Sequence, residues 1–264
     1  MGLAANPDFT LFALPEEHQA LREAVAQFAD EKVAPFAAEI DETGVFSREV
    51  YDSLVAADLH AIHIPEQFGG QGGDALAACL VIEELSRVCA STGLLPAVNK
   101  LGTLPLMIAA DDDLLGRYLP QVASGEAMFS YALSEREAGS DAAAMKTRAI
   151  ADGDAWVLNG QKSWISNAGE STYYTVMAVT DPSTGPRGIS AFVIHADDEG
   201  FSLGTPERKL GIQGSRDGLA MPPEALAEVR AVPGVTIAAP TAEGQVMAVA
   251  GDRVRGVVLR GVQP

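Results

Sequence analysis

The hydrophobic period of this chain changes once, at Met128, and that change limits what the chain can fold into. Upstream, apolar residues recur at helical spacing, as in Leu21, Val25, Phe28 and Ala29 or Leu114, Leu115, Tyr118 and Leu119. Downstream, short runs at 147–151, 155–158, 162–166, 173–180 and 189–194 are rich in Val, Ile, Tyr and Trp and are bounded by Gly, Asp, Asn and Pro. Helices first and strands afterwards describe an α+β chain, an N-terminal all-helical domain followed by an antiparallel β-barrel or sandwich domain. The expected divisions are 1–127 for the helices, 128–215 for the sheet and 216–264 for an atypical tail.

Local signals refine both halves. Pro15 opens a helix whose first turn carries Glu16 and Glu17, and Pro35 ends or bends it. Ser47, Asp74 and either Asp111 or Asp112 are candidate N-caps. The helix after Asp74 should bury Leu76, Leu80, Ile82 and Leu85, and the next, from about Thr92 to Ala109, should break near Gly102 and Pro105. His60 to Pro65 reads as a short extended run. The glycines from Gly69 to Gly73 lack a strand-to-helix context and read as a hinge or a loop beside a cleft rather than a phosphate cradle. In the second half, Asn159-Gly160 is the strongest hairpin signal, with Asp152-Gly153 and the stretch 181–185 as further turns.

Charge and cysteine usage narrow the function classes. The formal net charge of −18 repels a phosphate backbone and excludes a nucleic-acid partner. After Ser215 the acids Asp217, Glu224, Glu228, Glu243 and Asp252 are matched by Arg216, Arg230, Arg253, Arg255 and Arg260, so the excess lies before that point. Cys79 and Cys89 fall on one helix, about 15 Å apart along its axis, too far for a disulfide. They read as buried free thiols of a cytoplasmic protein. His60 and His63 lack the further ligands a metal site needs. No apolar run reaches the roughly 18 residues needed to cross a bilayer, and the N-terminus does not resemble a signal peptide.

The stretch from Met128 to Asn167 carries the chemistry. A strand-like run ends in Ser134, a loop holds Gly139, Ser140 and Asp141, and a later run carries Trp164, Ile165 and Ser166. Ser134, Ser140 and the N–H groups at the start of Ala142-Ala-Ala-Met-Lys146 make a donor-rich patch for an anion or a polar ring edge. Local chemistry alone also fits a capped loop between two strands.

Five ordered segments resemble the acyl-CoA dehydrogenase family: Tyr131-Ala-Leu-Ser-Glu135 with Ala138-Gly-Ser-Asp141, then Leu158 to Asn167, Thr180-Asp-Pro182, Arg187 to Phe192, and Lys209 to Ser215. Ile64-Pro-Glu-Gln-Phe-Gly-Gly70 is similar to the family's helical domain. The likeness covers about residues 14–215 and is nearest to bacterial, actinobacterial-type members. It implies FAD-dependent α,β-dehydrogenation of a fatty acyl-CoA thioester, in which a carboxylate takes the α-proton and the β-hydrogen leaves as hydride to the flavin. Electrons then pass to an electron-transferring flavoprotein. Carried over, Tyr131, Leu133 and Ser134 line the ring's polar edge, and Gly139 and Ser140 sit near the pyrophosphate and CoA, with Ser140 a substrate contact. Trp164 and Ile165 pack beside the ring, and Ser166 bonds near its N5.

The resemblance stops at Ser215. The family's C-terminal helical bundle, which carries its catalytic Glu and much of its oligomer interface, is not recognisable in 216–264, so no catalytic residue is assigned. That tail lacks aromatics, Cys, His, Lys, Ser and Asn and is mostly Ala, Val, Gly, Pro and Arg. A displaced reading frame would produce such a composition; alternatively, 246–262 supplies a strand or two to the sheet. The function expected is therefore an acyl-CoA dehydrogenase lacking its base, with a catalytically incomplete flavin- or acyl-CoA-binding or interaction subunit as the alternative.

Overall fold

The structure is a computed structural model describing residues 13–153 and 155–215, with the backbone of four short strands beyond them. Helix α1 (Glu16–Phe28) passes through a π-helical turn, Ala29–Val33, into α2 (Ala34–Thr43). Pro35 sits in the first turn of α2, so the expected bend is taken up by the wider turn before it. Ser47 caps α3 (Arg48–Ala56), its hydroxyl accepting from Val50 N–H at 3.3 Å. Asp74 caps α4 (Ala75–Val88) through Ala77 N–H at 2.7 Å, and Asp111 caps α6 (Asp112–Ala123) through Leu114 N–H at 3.0 Å.

Helix α5 (Ala90–Ala109) runs unbroken through Gly102, Pro96 and Pro105, against the expected interruption. An interior proline costs about 3 kcal/mol. Burial outweighs it: Leu95, Val98 and Leu106 are buried on the same helix, each contributing roughly 1.5–3 kcal/mol. Gly102 is required by contact rather than flexibility, because a Cβ there would meet Phe129 Cβ at 2.7 Å and Ser130 O at 3.0 Å.

The strands are β1 (Phe129–Ala132), β2 (Arg148–Asp152), β3 (Ala155–Asn159), β4 (Tyr173–Val179) and β5 (Ile189–His195), with β6 (Ala227–Val229) and β7 (Ile237–Ala238) joining the same seven-stranded sheet. Its order is β6-β3-β2-β4-β5-β7, and β1 and β2 share one edge of β4. The sheet is mixed, not purely antiparallel: β2–β3 and β4–β5 are antiparallel, whereas β1–β4 and β2–β4 are parallel. β4 is the central strand. Tyr174, Val176 and Ala178 enter one core and Met177 and Val179 another, which is why its sequence reads as continuous apolar residues. Within 246–262, β8 (Ala248–Ala250) and β9 (Arg253–Arg255) form a separate two-stranded sheet among the described residues. The rest of 216–264, including the chain on which the reading-frame question turns, lies outside the described residues.

A polar seam joins helices to sheet. Asn99, fully buried, accepts Phe129 N–H at 3.0 Å and donates to His60 C=O at 3.1 Å. Thr103 spends its hydroxyl proton on Asn99 C=O at 2.7 Å, so His63 Nε2, 2.8 Å away, is the donor of that pair and the ring is neutral. Burial depresses the His63 pKa to about 3, with Lys100 and His60 adding to the shift. Thr175 on β4 donates to Gly102 C=O at 2.6 Å.

Several local expectations are corrected. His60 to Pro65 forms turns, not an extended run. Leu76 and Cys79 are exposed: Leu76 lies in the first turn of α4, and Cys79 points away from the buried Val81 two residues on. The glycine loop is pinned rather than hinged: Gly72 and Gly73 donate to Ile64 and Ile62 C=O, both at 2.8 Å.

Candidate functional site

β1 would be left with an open outer edge where β4 does not cover it. Residues 163–166 occupy that edge. Ser163 N–H donates to Ser134 C=O at 2.9 Å, and Ser130 Oγ donates to Ser166 C=O at 2.7 Å. The segment therefore runs beside β1 in the reverse direction, placing Leu133 and Ser134 next to the start of the Trp164–Ser166 run. It is not the strand that its Trp and Ile residues suggested. Trp164 and Asn167 have φ of 59° and 61°, which breaks any extended run. Asn tolerates that conformation; for a bulky Trp it costs on the order of 1 kcal/mol and needs support from its surroundings.

Asn159-Gly160 does not make a hairpin. The β2–β3 turn falls at Asp152-Gly153, with Gly153 at φ 61°. Gly160 answers a different need, since a Cβ there would lie 2.3 Å from Thr147 Oγ1. The close passage lets the chain enter the site beside Thr147.

Beneath the wall lies a buried ion pair. Lys162 has a side chain with 0% exposure, and its Nζ donates to Glu135 Oε1 at 2.8 Å and to Leu133 C=O at 3.0 Å. Glu135 Oε1 also accepts Thr147 Oγ1 at 2.6 Å and Thr147 N–H at 3.0 Å, while its Oε2 accepts Lys146 N–H at 2.6 Å. Burial pushes the Glu135 carboxyl up, but Lys162, Thr147 and the Lys146 amide together hold it below the usual carboxylate range. The same burial pulls the Lys162 ammonium below its ordinary value despite Glu135 beside it.

The sequence-expected residues divide into three groups. Tyr131, Leu133, Ser134, Trp164 and Ser166 gather along β1 and its flanking segment. Tyr131, Leu133, Ser134 and Ser166 are half-buried, and Trp164 is 55% exposed. Burial raises the Tyr131 pKa and keeps its phenol neutral. Ile165 is different: at 1% exposure its side chain belongs to the core with Ala132, Leu158 and Tyr174, leaving only its backbone for a ligand. Gly139 and Ser140 are exposed. The turn between Glu135 and Ala138 closes through Glu135 N–H to Ala138 C=O at 2.9 Å, returning Gly139 beside Glu135. The helix expected after Ser140 is only a three-residue 3-10 turn, Ala142–Ala144, so no helix N-terminus faces this loop.

Sequence reasoning overlooked the groups that hold the wall. Glu135, Thr147 and Lys162 tie it from below. At its far end Asn167 N–H donates to Ser215 Oγ at 3.2 Å, and Ser215 Oγ donates to Asn167 Oδ1 at 3.0 Å. Asn167 Nδ2 is buried without a partner among the described residues. An isolated Lys between two turn signals was the available clue, because a lysine in an apolar strand-like run needs a buried acid.

The architecture and the motifs agree with comparisons to known proteins. The description "Acyl-CoA dehydrogenase, N-terminal domain" matches residues 15–126, and "Acyl-CoA dehydrogenase, middle domain" matches residues 130–219. A Mycobacterium tuberculosis protein named probable acyl-CoA dehydrogenase FadE25 is 58% identical over 215 residues, 81% of this chain and 55% of that one. Among solved structures, one described as the electron transferring flavoprotein of Acidaminococcus fermentans superposes with a TM-score of 0.78 at 34% identity, covering 83% of this chain and 58% of that one. A glutaryl-CoA dehydrogenase from Mycobacterium smegmatis in complex with FADH2 superposes with a TM-score of 0.72 at 26% identity, covering 84% and 57%. The chain thus spans about half the length of the curated relatives it matches. Helices packed by Asn99 onto a mixed sheet, the ordered motifs and these matches agree: the chain belongs to the acyl-CoA dehydrogenase family.

Proposed function

We propose that residues 128–215 form one wall of an FAD site and that the chain serves α,β-dehydrogenation of an acyl-CoA thioester. One observation carries the reading. The hydroxyls of Tyr131, Ser134 and Ser166 have no hydrogen-bond partner among the described residues, and the buried Nδ2 of the adjacent Asn167 has none either. Half-buried hydroxyls left in this way fit the polar rim of a flat ring, and Trp164 beside them fits its face. A bound flavin supplies the hydride-accepting chemistry; the protein supplies orientation and hydrogen bonds.

In this reading Ser134 and Ser166 orient the ring from adjacent strands of chain. Trp164 excludes water from one side, and Ser140, on its exposed loop, contacts the CoA portion of the substrate. The α-proton is taken by a carboxylate outside the matched residues 15–219. Electrons leave to an electron-transferring flavoprotein, and the protein works in the cytoplasm, where its free cysteines stay reduced. The division at 127 and 128 follows the same reading, supported by matches that end at 126 and resume at 130.

A second reading, an incomplete flavin- or acyl-CoA-binding subunit that works with a partner, is favoured by exposed Leu101 and Ile108 on α5 and by exposed Leu203, Leu210 and Ile212. Flavin absorbance of the purified chain, followed anaerobically after adding acyl-CoA, separates the two. Bound flavin that bleaches supports dehydrogenation, bound flavin that stays yellow supports the second reading, and a colourless chain that takes up no added FAD overturns both.

A further inference from the structure

We propose that the buried Glu135–Lys162 pair is a positioning device that sets the spacing between the two halves of the flavin wall, and through it the affinity for the cofactor. The inference rests on the FAD reading above. Three segments converge on Glu135: the end of the β1 run, the Lys146–Thr147 backbone, and the chain entering at Lys162. Lys162 spends a second donor on Leu133 C=O, one residue from Ser134, while the neighbouring Ser163 N–H takes Ser134 C=O. Lys162 thus holds the Leu133 carbonyl and Ser163 beside it the Ser134 carbonyl, while the Ser134 hydroxyl has no partner among the described residues.

A purely structural role explains this arrangement poorly. Burying two charges carries a desolvation penalty that their attraction only partly offsets, and apolar replacements of similar volume are often as stable. What an ion pair does that apolar contact does not is fix direction and distance, through hydrogen bonds at defined angles. Gly160 makes room for it, because any side chain there would collide with Thr147, itself bonded to Glu135.

The test uses the full chain and FAD itself. The double variant E135Q/K162M removes the buried charges together, so that no lone ion is left to unfold the protein, and E135Q/K162Q, likewise uncharged but still able to hydrogen-bond, serves as a milder second variant. The expected result is a double variant with a melting temperature close to the parent's but an FAD Kd raised tenfold or more. The Ser163 amide should exchange with solvent at least tenfold faster, while amides of β4 and β5 keep their parental rates. E135Q/K162Q should show the same signs at a smaller amplitude. A folded double variant with FAD affinity within twofold of the parent, or with unchanged exchange at Ser163, overturns the inference alone. If E135Q/K162M does not fold, the same two thresholds apply to E135Q/K162Q. A parent chain that binds no FAD overturns the function reading, and this inference with it.

Discussion

Two polar regions lie on either side of β1, and they differ in what their hydrogen bonds are for. On the helical side, Asn99, Thr103 and His63 bond to each other and to the backbone of His60 and Phe129. On the other side, Ser134, Ser166 and Tyr131 surround an equally ordered network yet keep their own hydroxyls unpaired. The seam satisfies most of its buried polar groups within the protein, each orphan costing about 1–3 kcal/mol, with His60 Nδ1 left unpaired among the described residues. Hydroxyls held in place but unsatisfied, at the rim of a pinned surface, are what a binding site requires. On the proposed reading, unmet hydroxyls at an accessible rim, rather than polarity itself, set the candidate site apart from the scaffold.

Breaking the seam should produce the largest change. Asn99→Ala orphans Phe129 N–H and His60 C=O together, both buried, and should cost roughly 2–5 kcal/mol. Urea denaturation should show a lower midpoint, whereas FAD affinity per folded molecule should hold. A comparable loss of affinity at an unchanged midpoint would erase the distinction between seam and site.

Acid should attack the seam before the wall. His63 is held neutral, with its folded pKa depressed to about 3. A depressed base binds more protons when unfolded, so its contribution is fully present above the unfolded pKa of about 6.5 and is lost as pH falls toward 3. Between pH 7 and pH 5 this amounts to about 2 kcal/mol. His63→Gln should flatten that part of the stability profile, and an unchanged slope in the variant would remove His63 as its source.

The wall should respond in the opposite sense. Ser166→Ala deletes a hydroxyl with no protein partner, so stability should stay within about 0.5 kcal/mol while FAD binds on the order of tenfold more weakly, the worth of one hydrogen bond. Calorimetric unfolding beside a fluorescence titration measures both. A small stability effect is also expected for Trp164→Asn. Asn accepts the positive φ more readily than Trp, so unfolding should shift by about 1 kcal/mol or less, whereas quenching of bound flavin by this residue should be lost.

Much of the helical half was legible beforehand, because its signals are local. Ser47, Asp74 and Asp111 cap helices through their own side chains three residues ahead, and Leu114, Tyr118 and Leu119 face inward at helical spacing. The misreadings share a different cause. Gly102 and Gly160 look like a helix breaker and a hairpin turn, but each is small because another chain presses on it: β1 against Gly102, Thr147 against Gly160. Lys162 to Ser166 reads as a strand by composition, yet its Lys serves a buried acid and its Trp lies at positive φ.

The sequence by itself determined the order of helices and sheet and the family, since period, capping and motif chemistry are written within a few residues. Tertiary structure alone decided that β1 pairs parallel with β4, that Ile165 turns into the core, and that Glu135 and Lys162, 27 positions apart, close on each other beneath Ser134. Those outcomes depend on which distant segments share a buried volume, and no local pattern encodes the partner of a buried charge.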